Sequence, residues 1–267
     1  MSAEKKASPP AARWQADITV TGHQADGEVR WHVPEEAPVA LIYNGLTFAV
    51  MLASPLDMDD FVTGFSLTEG IVDRPADITR VEIHERRQGI DLHVTISDRC
   101  FDRLSLRQER RSMEGRTSCG LCGIDSAERL FERLPRVAEQ QRALDADVVA
   151  QAVKSLEAMQ PLKALNRSVH GAAYVTEGGA VLLVREDVGR HNALDKLIGA
   201  MAREGLDASE GFVLMTSRAS FEIIEKAARS GVTALVALSA PTGFAIRRAG
   251  EATMTLANFS KGVLTVF

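Results

Sequence analysis

The chain has 267 residues, and 45% of them are hydrophobic, which is enough to build a substantial core. Lys and Arg total 31 and Asp and Glu total 36, so the formal net charge of -5 argues against a general nucleic-acid-binding protein. The sequence has no apolar run of the roughly 20 residues that a membrane span needs, and its start lacks the apolar segment of a secretory signal. Three cysteines do not suggest a disulfide framework, so we expect a reducing cytoplasm.

The first half of the sequence predicts an N-terminal α+β region over residues 14–143, after a disordered tail at residues 1–13. The tail is polar and contains Pro9 and Pro10. In chain order, the pattern first predicts short strands between Ile18 and Val33, with breaks at Gly22 and Gly27, and then a strand over Leu46–Ala53. Asp57 is predicted to cap a helix that carries Phe61, Phe65 and Leu67. A hairpin over Val81–Ile96 that turns near Gln88–Gly89 follows, and Arg99–Arg116 is predicted to form an exposed helix or a mobile loop.

The second half, residues 144–267, alternates helices with apolar strands and predicts an α/β region. A helix starts at Asp145 or Asp147 and stops at Gln160–Pro161, because Val149, Val153 and Leu156 recur at helical spacing. The later predicted elements are strands over 172–176 and 180–184, a helix over 192–203, a strand over 212–216, a helix over 220–229, a strand over 233–238, a helix over 242–249, and strands over 253–258 and 263–267. Uninterrupted apolar strands between helices indicate a sheet that is covered on both faces.

The segment Thr117–Gly123 reads T-S-C-G-L-C-G and holds two of the three cysteines in a CxxC spacing. Arg116 lies three residues before Cys119, and a nearby cation favours the reactive thiolate. A zinc site would need two further ligands, and the remaining Cys and His residues form no paired ligand motif. A thioredoxin-like redox pair would be expected inside a βαβ unit, whereas this CxxC follows an Arg-rich stretch. On the residues alone, persulfide or thiol chemistry and half of a zinc site are equally good interpretations.

A polar block over Arg185–Lys196 reads R-E-D-V-G-R-H-N-A-L-D-K and follows an apolar strand. α/β sheets bind ligands at the carboxyl ends of their strands, so this position favours a binding site over an ordinary capped helix with surface ion pairs. Asn192 is predicted to cap the following helix and to leave its N–H groups open to an anion. His191 and Asp195 are spaced i, i+4, and this spacing predicts a hydrogen-bonded pair.

Two further polar junctions follow apolar strands, at Met215–Glu222 and Leu238–Gly243. Each alone reads as a capped turn, but three junctions of this kind in one sheet would line a common crevice and would suit a polar ligand such as a nucleotide. The sequence has no G-x-G-x-x-G and no Walker A motif, which argues against a Rossmann NAD site and a P-loop. Ala172 occupies the position where a zinc deaminase needs Glu after His170, so His170 is interpreted as a hydrogen-bonded histidine at a strand edge.

The stretches Ser118–Gly123, Arg185–Gly199 and Ser217–Glu222 together resemble the formate dehydrogenase accessory sulfurtransferase family. The resemblance extends from about Leu46 to the C-terminus, and its longest match is R-E-D-V-G-R-H-N-A-L-D-K-L-I-G. It implies a protein that takes sulfur from a cysteine desulfurase and passes it to the molybdenum bis(molybdopterin guanine dinucleotide) cofactor before that cofactor enters formate dehydrogenase. It also implies a three-layer α/β/α sandwich similar to the cytidine deaminase fold, with a smaller β-rich N-terminal part.

The same resemblance assigns roles to individual residues. Cys119 would carry the persulfide, with Cys122 as its neighbour, and no metal site is expected. A guanine nucleotide would bind in place of the whole cofactor, and the cysteine segment would fold over the crevice that holds it. The expected cofactor-binding residues are Phe259, Ser260, Lys261, Gly262, Val263 and Leu264 in the C-terminal segment, together with Arg190, His191, Asn192, Ser217 and Arg218. The C-terminal segment lacks the proline and the arginine that the family carries there.

Other functions are open at this point. A chaperone could bind the molybdenum cofactor without transferring sulfur, a structural protein could use the CxxC to hold zinc, and an enzyme could act on free guanine nucleotides. The expected partners of a sulfur carrier are the desulfurase and formate dehydrogenase, with no nucleic acid or membrane partner. A homodimer is one candidate assembly.

Overall fold

The computed structural model describes residues 14–113, 132–139 and 143–267. The predicted tail at residues 1–13 and the CxxC segment therefore lie outside the described residues. None of the helices within the described ranges combines the length and the hydropathy of a membrane span. The division of the chain near residue 143 stays a prediction.

The N-terminal part begins with an antiparallel hairpin, β1 (Asp17–Gln24) and β2 (Gly27–Pro34). A four-stranded sheet follows in the order β4-β3-β6-β5, and only its β3–β6 pair is parallel. Its strands are β3 (Ala37–Tyr43), β4 (Leu46–Ala53), β5 (Ile78–Arg86) and β6 (Gly89–Ile96), and a 3-10 turn at Pro75–Asp77 precedes β5. Helices α1 (Met58–Thr68) and α2 (Asp98–Met113) share the core of this sheet.

Several N-terminal predictions are confirmed, and three details are wrong. The predicted strand at Leu46–Ala53 and the hairpin turning near Gly89 are present. Gly22 lies inside β1 and does not break it, and β3 was not predicted. Asp57 precedes α1 but does not cap it, because its backbone is left-handed, with φ 54°, and its side chain accepts no capping hydrogen bond.

The C-terminal part is built on a six-stranded sheet in the order β12-β11-β10-β9-β7-β8. Strands β8, β9, β10 and β11 run parallel to one another, while β7 and β12 run the opposite way. The strands are β7 (His170–Thr176), β8 (Val181–Asp187), β9 (Gly211–Arg218), β10 (Ala234–Ser239), β11 (Thr255–Ser260) and β12 (Val263–Val266).

Helices cover both faces of this sheet. One face packs with α5 (Arg190–Glu204), α6 (Phe221–Arg229) and α7 (Gly243–Glu251), and the other packs with α3 (Ala146–Ala158). Alternate residues of β9 point to the two cores, since Val213 and Met215 join the first and Phe212 and Leu214 the second. The short helix α4 (Pro161–Asn166) and a 3-10 turn at Ala208–Glu210 complete the fold. The predicted α/β class is confirmed, and the similarity to the cytidine deaminase fold stays a prediction.

Helices α1 and α5 cross in close contact and join the two parts of the chain. Gly64 and Gly199 lie at the crossing, where a Cβ on Gly64 would fall 1.7 Å from the carbonyl oxygen of Asp195. A Cβ on Gly199 would fall 1.9 Å from the carbonyl oxygen of Asp60. Both distances are far below a van der Waals contact, so this crossing requires two glycines.

Candidate functional site

The sheet topology brings the predicted polar junctions to one edge of the six-stranded sheet. Strands β8, β9, β10 and β11 end there and β7 begins there, so we call it the carboxyl edge. It is formed by residues 187–191, 217–220, 239–242 and 259–263, together with His170. All of the predicted cofactor-binding residues lie on or next to this edge. Their role in binding stays a prediction, but their proximity follows from the fold.

Two charged residues that precede the β8–α5 junction make structural contacts. Arg185 binds Asp60 of α1 at 2.7 Å, and Arg203 binds the other oxygen of the same carboxylate at 2.6 Å. The Glu186 carboxylate accepts hydrogen bonds from the backbone N–H groups of Leu162 and Lys163, each at 2.9 Å. Glu186, which lies on strand β8, therefore satisfies the free N–H groups at the start of helix α4, as an N-cap residue usually does. The carboxylates of Asp60 and Glu186 are thus both used in contacts within the protein.

Asp187 and Lys196 form a buried ion pair at the centre of the same junction. Their charged atoms are 2.7 Å apart, and both side chains are fully buried. Asp187 also accepts hydrogen bonds from the backbone of Ser54 at 2.9 Å and of Gly189 at 2.8 Å. Lys196 donates to the carbonyl of Ser54 at 2.9 Å. Buried charges need such partners. Because Ser54 binds both charged groups, the network holds the β4–α1 connection against the start of α5.

Asn192 belongs to this network and is not the helix cap that the sequence predicted. Gly189 occupies the N-cap position, and Asn192 lies in the first turn of α5. Its buried side-chain amide donates to the carbonyl of Leu52 at 2.8 Å and to Asp187 at 2.9 Å. Both donors of the amide are thereby used within the protein.

The predicted pair of His191 with Asp195 is wrong. Asp195 is buried and binds Lys226 of α6 at 3.0 Å, and it also accepts a hydrogen bond from Thr68 of α1 at 2.7 Å. Burial opposes the charge of Lys226, but the carboxylates of Asp195 and Glu69 raise its pKa above the ordinary value. The i, i+4 spacing placed His191 and Asp195 on one helix face, but α1 and α6 pack against Asp195 and supply its partners.

His191 instead faces Glu222 in the first turn of α6. Nε2 of His191 lies 3.8 Å from Oε2 of Glu222, which is within the range of an ion pair but longer than a hydrogen bond. Burial alone would raise the pKa of Glu222, but the proximity of His191 and Ser220 outweighs it and lowers that pKa to about 2. Glu222 is therefore ionised at neutral pH. The sequence motif contained Glu222, but only the helix packing shows its contact.

Three polar atoms at the carboxyl edge are buried without a hydrogen-bond partner within the described residues: Nε of Arg190, Nε2 of His191 and Oγ of Ser220. Buried polar atoms are usually satisfied, so three unsatisfied ones at the starts of α5 and α6 suit a polar ligand. Burial, followed by the charges of Arg190 and Lys163, lowers the pKa of His170 below its ordinary value. This concentration of basic groups beside two helix N-termini is compatible with an anion.

The predicted C-terminal segment forms the β11–β12 hairpin at the other end of the carboxyl edge. Phe259 is buried, and Leu264 packs partly against the same core. Ser260, Lys261, Gly262 and Val263 are exposed. Lys261 and Gly262 both have left-handed backbones, with φ 51° and 77°, as a two-residue type I′ hairpin turn requires. The turn thus presents the Lys261 side chain to solvent.

The end of β9 separates a buried hydroxyl from an exposed cation. Ser217 is buried and donates to the carbonyl of Arg218 at 3.1 Å, whereas the Arg218 side chain is exposed. Next to them, the Thr216 hydroxyl accepts a hydrogen bond from the backbone of Gly171 at 2.9 Å. Arg218 is therefore the residue of this junction that is accessible to a ligand.

Cys119 and Cys122 lie outside the described residues, and the description of the chain resumes at residues 132–139, which are bound to the C-terminal part. The carbonyl of Glu132 accepts a hydrogen bond at 2.7 Å from Arg248, whose buried guanidinium also binds Glu225 at 2.9 Å. Further along, Val137 donates to the carbonyl of Ala252 at 2.9 Å. Residues 132–139 are thereby held against α6 and α7.

Within the described ranges, one group of side chains has the composition of a metal site: Asp73, Asp77 and Cys100. Asp73 already forms ion pairs with Arg99 at 2.6 Å and with Arg103 at 2.9 Å. Asp77 accepts hydrogen bonds from the backbone of Asp73 and Arg74. These contacts within the protein account for the grouping of the three side chains.

A search against protein-family descriptions matches residues 34–266 to the FdhD/NarQ family. Proteins named sulfur carrier protein FdhD are close in sequence. The one from Cupriavidus necator is 49% identical over 227 residues, which cover 85% of this chain and 78% of the relative. The one from Bordetella petrii is 48% identical over 227 residues, covering 85% and 81%, and the one from Xanthomonas euvesicatoria is 47% identical over 229 residues, covering 86% and 80%.

A crystal structure described as that of a formate dehydrogenase accessory protein from Desulfotalea psychrophila has the same fold. It superimposes with a TM-score of 0.70 and 21% sequence identity, and the match covers 94% of this chain and 95% of that one. At this identity the likeness shows the fold alone. Because the family description spans most of the sequence and the sequence relatives are nearly half identical, the chain belongs to the FdhD/NarQ family.

Proposed function

We propose that this protein is a sulfurtransferase that serves formate dehydrogenase. In this proposal it accepts sulfur from a cysteine desulfurase in the cytoplasm and delivers it to the molybdenum bis(molybdopterin guanine dinucleotide) cofactor, which is its substrate. Membership of a family whose relatives are named sulfur carriers is the observation that carries the proposal.

Cys119 is the proposed carrier, with Cys122 beside it. Its thiolate attacks the terminal sulfur of the desulfurase persulfide, a new S–S bond forms at Cys119, and the desulfurase cysteine leaves as a thiolate. Arg116 precedes Cys119 by three residues and favours the thiolate that this attack needs. Cys122 is available to take the sulfur from Cys119 by the same kind of exchange.

The carboxyl edge is the proposed binding site for the nucleotide part of the cofactor. Arg190, Arg218 and Lys261 supply cations along the edge, and the helix N-termini favour phosphate groups. The unsatisfied atoms of Arg190, His191 and Ser220 fit a polar, anionic ligand. The expected contact from a family arginine has no counterpart, since this chain has Lys261–Val263 without an arginine there.

The attachment of residues 132–139 is compatible with a carrier that reaches this edge. Glu132 lies ten residues after Cys122, and an extended chain of that length spans at most about 35 Å. Glu132 is held next to Glu225, one turn into α6, and α6 begins at the carboxyl edge.

The replacement Cys119→Ala separates sulfur transfer from cofactor binding. We expect this variant to lose activation of formate dehydrogenase and to bind GDP, as a substitute for the cofactor, with unchanged affinity. Calorimetry with GDP and a formate dehydrogenase activation assay measure the two properties on the same preparation. Cys100→Ala, which removes the buried third cysteine, is the control and should retain both.

If the Cys119/Cys122 double-Ala variant still activates formate dehydrogenase, the protein binds the cofactor without transferring sulfur. If neither the original protein nor Cys119→Ala binds GDP, the proposed site at the carboxyl edge is wrong, whatever the activation assay shows.

A further inference from the structure

His191 and Glu222 face each other between the first turns of α5 and α6. The two side chains keep 30% and 27% of their surface exposed, so they lie at the boundary between the protein interior and the carboxyl edge. Nε2 of His191 itself is buried, and the Glu222 carboxylate lies 3.8 Å away. The carboxylate on one helix thus lies close to the imidazole ring on the neighbouring helix.

Glu222 is the carboxylate suited to hold His191 among the charged groups described around it. Arg190 on the same helix and His170 on β7 are basic and act on each other electrostatically. Asp187 is held by Lys196, and Asp195 is held by Lys226. Within the described ranges, Glu222 is paired with no Lys or Arg, and the groups that lower its pKa are His191, Ser220 and its own backbone.

We propose that Glu222 is a positioning residue that aims the His191 ring at the anionic group bound at the carboxyl edge. The inference rests on the proposed function for the identity of that group, and it concerns a residue to which the binding prediction gave no role. Glu222 would act through His191 and would not touch the ligand, because a carboxylate beside a phosphate is repelled by it.

A double-mutant cycle on GDP affinity tests this dependence. The variants are His191→Gln, Glu222→Gln and the double variant, each titrated with GDP by calorimetry. We expect each single variant to bind GDP at least roughly threefold more weakly, and the double variant to bind no more weakly than His191→Gln alone. The proposal would be overturned if the double variant lost GDP affinity by the product of the two single losses, or if Glu222→Gln bound GDP as tightly as the original protein does.

Two controls separate positioning from a general structural effect. Glu204→Gln makes the same change of charge on an exposed residue at the far end of α5, and it should leave GDP affinity unchanged. Glu222→Asp keeps the carboxylate and should recover part of the affinity that Glu222→Gln loses. If Glu222→Asp is as weak as Glu222→Gln, the negative charge is not what matters.

The ring signals of His191 provide a test that needs no ligand. In protein labelled with nitrogen-15 on histidine, Glu222→Gln should shift the ring nitrogen resonances of His191, whereas Glu204→Gln should not. Unchanged His191 resonances contradict the positioning role. If the original protein does not bind GDP but these resonances shift, the proposed cofactor site fails and the contact between His191 and Glu222 stands.

Discussion

At the scale of single residues, most charged side chains of the R-E-D-V-G-R-H-N block stabilise the fold. Glu186 caps α4, and Asp187 holds Lys196. Arg190 and His191 are the two basic residues of the block whose polar atoms are left unsatisfied. A block of sequence that suggests one binding site therefore contains residues that stabilise the fold and residues whose polar atoms have no partner within the described residues.

Loss of one partner from the buried ion pair of Asp187 and Lys196 is expected to lower stability strongly. Lys196→Met should lower the free energy of unfolding by about 3–5 kcal/mol, because it leaves the Asp187 charge buried without its partner. Urea unfolding at pH 7 measures this. Lys154→Met, on the exposed face of α3, is the control and should change stability by less than about 0.5 kcal/mol. Equal stabilities of the two variants would show that Lys196 is not needed to neutralise Asp187.

The ionisation of Glu222 predicts a dependence of stability on pH. Its pKa falls from 4.5 in the unfolded chain to about 2 in the folded protein, so it contributes stability that is fully present above pH 4.5 and is lost as the pH falls towards 2. The stability difference between the original protein and Glu222→Gln should therefore be largest near neutral pH and should shrink below pH 4.5. Chemical unfolding at several pH values measures it, and a difference that stays constant down to pH 3 would contradict the pKa.

At the scale of secondary structure, the crossing of α1 and α5 is the contact that depends most on particular residues. Gly199→Ala should destabilise the protein by about 1–3 kcal/mol or more, because the added Cβ meets the backbone of Asp60 and the helices must separate.

Gly250→Ala is the matched control for that prediction. Gly250 lies in α7, where an added Cβ meets no atom within 4 Å, so the better helix propensity of Ala should stabilise the protein slightly. Thermal unfolding of the two variants should thus give shifts of opposite sign, and shifts of the same sign and size would show that α1 and α5 tolerate a wider spacing.

Local patterns predicted most of the secondary structure, and the failures have physical reasons. The helix start predicted at Asp145 or Asp147 is confirmed at Asp145, whose side chain accepts the hydrogen bonds of a true N-cap. Asp57 has the same chemistry but a left-handed backbone, which sequence spacing does not reveal. Strand β3 was missed although it lies inside its sheet. Its Pro38 is tolerated because pairing with β6 begins only at Val39.

At the scale of the whole molecule, the carboxyl edge depends on contacts between residues that are far apart in sequence. Ser54 binds Asp187, 133 positions later, and Thr68 binds Asp195, 127 positions later. A search for pairs within one helix could not find these partners, which is why the predicted contact of His191 with Asp195 was wrong. The order of the strands was not predicted, but the alternation of helices and apolar strands was enough to predict that the polar junctions lie together in one sheet.

Mass spectrometry of the protein after incubation with a cysteine desulfurase and cysteine tests the claim that Cys119 carries sulfur. We predict a gain of about one sulfur atom on the peptide that contains Cys119, removed by a reductant and absent from Cys119→Ala. A Cys119 peptide of unchanged mass, in a protein that instead holds about one zinc ion per chain, would contradict the claim.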